Sequence, residues 1–106
     1  GGEPMTLKKP AMAGTLESSD VQISLYPNPG GGIQINLHSD VKAMFGEAIE
    51  QTLRAVLEEF QVTDALVEVH DKGALDFAIR ARMECAVCRA AELAFPWEKE
   101  DPYGEK

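Results

Sequence analysis

Val21-Gln22-Ile23-Ser24-Leu25-Tyr26-Pro27-Asn28-Pro29-Gly30-Gly31-Gly32-Ile33-Gln34-Ile35-Asn36-Leu37-His38 is the stretch on which the fold turns. Val21, Ile23 and Leu25 alternate with Gln22, Ser24 and Tyr26, and Ile33, Ile35 and Leu37 alternate with Gln34, Asn36 and His38. A period of two places one kind of side chain on each face of a strand. Between the two runs, Pro27 and Pro29 cannot extend a ladder, while Gly30, Gly31 and Gly32 tolerate positive φ. The interval is therefore a turn, and the two runs are expected to pair as a hairpin.

Downstream, the period changes. Val41, Met44, Phe45, Ala48, Ile49, Thr52, Leu53, Val56, Leu57 and Phe60 recur at steps of three and one, the stripe of an amphipathic helix. Ser39 or Asp40 is its natural N-cap. Gly46 lies inside this helix at a cost of about 1 kcal/mol relative to Ala, which close packing on a neighbour would explain. Ala65, Val67 and Val69 mark a third strand, ended by Asp71-Lys72-Gly73. From Leu75 onward both periods are present, but the run out to Ala94 is too long for a typical strand and is read as a helix.

The order is strand, strand, helix, strand, helix (ββαβα). It implies an α/β (α+β) two-layer sandwich with a small mixed sheet and both helices on one face. A right-handed crossover after the hairpin predicts strand order 2-1-3. Residues 1–12 are expected to be a flexible N-terminal segment, with 1–4 an expression scar ahead of Met5. Residues 13–94 form the single domain, and 95–106 a tail.

The chain has 10 Lys and Arg against 18 Asp and Glu, a net charge of −8. That balance argues against nucleic-acid binding, which needs clustered cations, and against adhesion to anionic membranes. No apolar run reaches the roughly 20 residues that cross a bilayer. Two cysteines cannot make a disulfide framework, and the absence of an export signal in this sequence leads to an expected cytoplasmic location.

Few residues invite chemistry. Cys85 and Cys88 are three apart within the second helix, away from the helix start that would activate a thiol, and read as small core residues. A zinc site on them would need two more ligands, and only His38 and His70 are available among histidines. Both histidines end strands on the polar side and are expected to face solvent, so no metal site is expected. No catalytic residue is expected either, because no Ser-His-Asp or Cys-His set assembles with any specificity. That leaves Ala11-Met12-Ala13-Gly14-Thr15-Leu16-Glu17-Ser18-Ser19-Asp20, a polar loop entering a strand, whose serines could accept a covalent group.

This last segment, from Pro10 to Asp20, resembles the start of the acyl carrier protein of citrate lyase, its gamma subunit. The resemblance continues through Phe45-Gly46 and Ala48-Ile49, through Asp71-Lys72-Gly73-Ala74-Leu75-Asp76 and Ile79-Arg80-Ala81-Arg82, to Pro96-Trp97-Glu98. It implies that Ser18 is the covalent attachment site of a prosthetic group. The family commonly has glycine after that serine, whereas this chain has Ser19. The implied group is a phosphoribosyl dephospho-coenzyme A arm derived from 2'-(5''-triphosphoribosyl)-3'-dephospho-CoA, ending in a thiol that carries acetyl and citryl thioesters. The implied partners are the citrate lyase alpha (transferase) and beta (lyase) subunits and a prosthetic-group-attaching transferase. The chain itself would be a non-catalytic carrier. A tethered arm raises the effective concentration of acyl group at each active site.

Malonate decarboxylase has a similar carrier subunit and supplies the nearest alternative. Two further readings are an interaction subunit without an arm, and a small redox or metal protein built on Cys85 and Cys88.

Overall fold

The computed structural model describes residues 5–93; residues 1–4 and 94–106, the expected tail among them, lie outside the described residues. Its elements are β1 (Ala11–Gly14), β2 (Val21–Tyr26), β3 (Ile33–Ser39), α1 (Lys42–Glu59), β4 (Ala65–Asp71) and α2 (Asp76–Ala91). The strands form one four-stranded mixed sheet in the order β1-β2-β4-β3. Both helices pack on its inner face, α1 over β3 and α2 over β1 and β2. The two-layer α+β class is as expected, and the Leu75 run is helical.

The strand order is not the expected one. β2 and β3 do not form a hairpin: β4 lies between them, antiparallel to β2 and parallel to β3. The pairing follows from burial. Val21, Ile23 and Leu25 of β2 and Ala65, Val67 and Val69 of β4 are fully buried, whereas Ile33 and Ile35 of β3 are only half-buried. The two strands with the most complete apolar faces are neighbours over the core, and β3 takes an edge. Residues 27–32 cross the start of β4 instead of closing a turn. Gly32 donates its N–H to Asp64 Oδ1 (2.9 Å) and accepts the Ala65 N–H (2.9 Å).

β1 is a second departure, because the polarity of the 11–20 segment predicts a loop along its whole length. Ala11 to Gly14 pair antiparallel with Leu25 to Gln22 and extend the sheet beyond β2. Arg89 Nη1 on α2 donates to the Met12 carbonyl (2.7 Å) and helps hold this edge. Upstream, Leu7 is buried in the core, and the Lys8 N–H bonds the Ala90 carbonyl (2.8 Å).

The helices also depart in detail. Val41, not Ser39 or Asp40, is the N-cap of α1. Ser39 Oγ accepts the Val41 N–H (3.1 Å) while donating to Asp71 Oδ2 (2.8 Å), so it joins the β3 end to the β4 end. The apolar stripe of α1 is buried at Ile49, Leu53, Val56 and Leu57, but Met44 and Phe45 in the first turns are exposed. Phe45 borders a groove of about 350 Å³ between α1 and the β4–α2 junction, lined by apolar groups including Ile49, Ala74 and Ile79. On α2, Ile79, Met83 and Val87 are buried, and Cys88 is buried beside a half-buried Cys85.

Candidate functional site

The 15–20 loop joins β1 to β2 at the sheet end where β4 runs into α2. Gly14 starts it with φ of +89°, and a Cβ there would stand 1.8 Å from the Val21 carbonyl oxygen, so only glycine lets the two backbones approach. The Asp20 N–H donates to the Glu17 carbonyl (3.1 Å), closing a four-residue turn with Ser18 and Ser19 at its centre. Ser19 holds φ of +66°, the left-handed conformation that glycine adopts most easily. The loop is then fastened to the far side of the sheet end. Ser19 N–H donates to the Lys72 carbonyl and Lys72 N–H to the Asp20 carbonyl, both at 2.8 Å.

Asp20 is the electrostatic centre of the loop. Its carboxylate accepts Thr15 Oγ1 (2.6 Å), the Val21 N–H (2.7 Å) and Arg82 from α2, through Nε (3.1 Å) and Nη2 (2.9 Å). The Thr15 hydroxyl above all, with Arg82 and the Val21 amide, holds the Asp20 carboxyl down at about 2 against the opposing pull of burial. A carboxylate so engaged is a poor proton acceptor at neutral pH. Its role is to hold the turn.

Ser18 is exposed at the crest of this turn, and among the described residues its hydroxyl has no hydrogen-bond partner. The loop that carries it is braced by hydrogen bonds at Thr15, Ser19 and Asp20. Beside it lies an open depression bordered by Glu17, Asp20, Gly73, Leu75, Phe77 and Arg82. Leu75 and Phe77 expose 65% and 71% of their surface around it, an apolar rim on an otherwise acidic protein.

The Asp71-Lys72-Gly73-Ala74-Leu75-Asp76 segment forms the opposite wall. Asp71 is 2% exposed, and its carboxylate accepts the Ser39 hydroxyl and the Ala74 N–H (3.0 Å), so it shapes the entry to α2. Asp76 accepts the Thr52 hydroxyl and links the two helices. Both acids are structural here. Segments more than fifty residues apart in sequence meet around the serine loop, and Arg82, which sequence reasoning assigned no role, makes the decisive contact. Its signal was its place just under two turns along the helix that begins at the segment facing Ser18. The histidines stand elsewhere, on the uncovered face of the sheet, and the cysteines lie in or against the core.

An exposed serine on a braced turn, with no base aimed at it among the described residues, suits a hydroxyl that another protein modifies. Residues 8–90 match the acyl carrier (ACP) family described as the malonate decarboxylase delta subunit (MdcD). The citrate lyase acyl carrier protein of Vibrio cholerae serotype O1 is 52% identical over 89 residues, 84% of this chain and 91% of that one. That of Clostridium perfringens is 48% identical over 94 residues, 88% and 93% of the two chains. The chain belongs to the citrate lyase acyl carrier protein family. Among solved structures, a chain of a Pseudomonas malonate decarboxylase hetero-tetramer in complex with malonate has the same fold. Its TM-score is 0.71 at 20% identity, over 82% of this chain and 89% of that one.

Proposed function

We propose that this protein is the acyl carrier subunit of citrate lyase and that Ser18 Oγ is the atom esterified to its arm. The observation that carries the reading is the exposed Ser18 on a turn held from three sides, in a chain about half identical to citrate lyase acyl carrier proteins over most of its length. The arm is the phosphoribosyl dephospho-coenzyme A group derived from its triphosphoribosyl precursor. When bound it supplies a terminal thiol that carries acyl groups as thioesters.

The residues present fit such a group. Arg82 keeps 42% of its side chain exposed and lines the same depression as Ser18, so a cation is available to a phosphate joined there. Glu17 and the Leu75 and Phe77 rim frame the approach of an attaching transferase. The chain contributes no bond-making group of its own and acts by presenting Ser18 at a fixed point. Its acidic surface favours basic docking patches on the alpha and beta subunits, and its place of work is the cytoplasm.

A second reading, the carrier of malonate decarboxylase, is supported by the family description and by the structural neighbour. The level of identity to citrate lyase carriers places it second. Co-expression with the attaching transferase and its precursor tests both the site and the role. Intact mass should show one added group, and peptide mapping should place it on Ser18. Ser18→Ala should fold and accept nothing, and Ser19→Ala should still be modified. Modified protein should then support citrate cleavage with the alpha and beta subunits. Mass on Ser19, or a modified and active Ser18→Ala, would show that Ser18 is not the site.

A further inference from the structure

The face of the sheet away from the helices carries a grid of polar side chains. Strand register aligns Gln22 of β2, His70 of β4 and His38 of β3 in one row, and Ser24, Glu68 and Asn36 in the next. The chain has two histidines, and they are 32 residues apart in sequence. The parallel β3–β4 ladder brings them side by side, with ring centroids 4.7 Å apart and planes 11° from parallel. Glu68 completes a triangle. Its Oε1 is 3.7 Å from His38 Nε2, while its Oε2 accepts Asn36 Nδ2 at 2.6 Å.

We propose that His38, His70 and Glu68 form a binding site for a divalent transition-metal ion of the zinc type on this open face. One ligand atom from each of the three lies within 4.8 Å of the others. In a tetrahedral zinc site, with bonds of about 2.0–2.2 Å, ligand atoms stand roughly 3.4 Å apart. Both rings are exposed, so rotation about their side-chain bonds closes that gap and turns the two nitrogens from stacked to convergent without moving the strands. Two imidazoles and one carboxylate are a donor set that zinc accepts, with the fourth position left to water.

The Asn36 contact has the form of an outer-shell bond. It occupies one carboxylate oxygen, orients the group, and leaves the other oxygen facing the histidine. The backbone beneath is preorganised by two continuous ladders on either side of β4. A net charge of −8 raises the local concentration of cations at the surface. Lys42, which borders the adjoining depression, opposes this locally, and Glu50 on the same rim adds a negative charge.

The test uses tag-free protein and Zn²⁺ alone as the probe. Calorimetric titration should give one ion per chain. With two histidines in the chain, ring C–H resonances report directly, and both should shift together and saturate at one equivalent. His38→Ala, His70→Ala and Glu68→Gln should each weaken binding at least tenfold. These side chains are outside the core, so far-UV circular dichroism and the zinc-free melting temperature should stay unchanged. Asn36→Ala should weaken binding by about tenfold, the usual cost of losing an outer-shell partner. A Cys85→Ser, Cys88→Ser variant should bind as the parent does. No saturable binding, a shift in one ring alone, or binding retained in the double histidine variant would overturn the site.

Discussion

Four hydrogen bonds converge on the Asp20 carboxylate, one from the loop itself, one from the first amide of β2, and two from Arg82 on α2. Thr15 first, then Arg82 and the amide, lower its pKa from 3.8 to about 2. A depressed carboxylate pKa contributes stability that is present above about pH 4 and is lost as pH falls toward 2. The ion pair is partly open to water, so that contribution is about 1–2 kcal/mol rather than the full shift. Urea midpoints of the parent should therefore fall faster between pH 4 and pH 2 than those of Asp20→Asn, which starts lower at neutral pH. Parallel curves would remove Asp20 as the pin of the loop. Ser19, at φ of +66°, gives an opposite expectation. Ser19→Gly relieves the left-handed strain and should raise stability by about 0.5–1 kcal/mol in denaturant titration, with Ser18 still accepting the arm. A loss of stability would mean that the Ser19 side chain makes up for its backbone.

Among the elements, those with a strong period were readable from the chain. Ile23, Leu53, Met83 and their neighbours announce β2, α1 and α2 because burial on one face imposes spacing on the sequence. β1 had no such mark. Ala11-Met12-Ala13-Gly14 is four residues long, small and low in contrast, and exists because β2 offers it a free edge. The first turns of α1 misled in the other direction, since Met44 and Phe45 fit the stripe yet stand exposed. Gly46 is buried, as its packing role required, but its nearest obstacle is limited. A Cβ would meet Lys42 Cγ at 3.0 Å and Leu37 Cδ2 at 3.7 Å. Lys42 is exposed and can rotate aside. Gly46→Ala should then recover part of the helix-propensity cost and raise stability by up to about 1 kcal/mol. Destabilisation by that amount, measured by thermal or urea unfolding, would show that the contact with Leu37 is tighter than its distance implies.

At the scale of the whole molecule, pairing order is what local pattern could not encode. Alternation says that Val21–Tyr26 and Ile33–Ser39 are strands but not which edges meet, and adjacency in sequence favoured a hairpin that the sheet does not contain. The same limit hid the histidine pair, which depends on β4 lying against β3, whereas the β2–β4 pairing that brings Lys72 to the serine loop is common to both orders. Connection length held the clue. Strands that are next-but-one neighbours lie about 9.6 Å apart, two spacings of about 4.8 Å, and a chain that reverses direction across that gap needs more than the two residues of a tight hairpin. Residues 27–32 provide six, and Asn28 Nδ2 donates to the Gly32 carbonyl (3.2 Å) to stiffen the span. Replacing residues 27–32 with Asn-Gly therefore separates the two topologies. In a β2–β3 hairpin that turn is favourable and would leave stability equal or higher. In the order β1-β2-β4-β3 it cannot reach across β4 without pulling Tyr26 or Ile33 out of register. It also removes the Gly32 contacts with Asp64 and Ala65. The variant should lose several kcal/mol or fail to fold, while lengthening the same link with two added glycines should cost only about 0.3 kcal/mol. A short-turn variant as stable as the parent, with β2–β3 cross-strand contacts in its NMR spectra, would mean that the hairpin order is accessible after all.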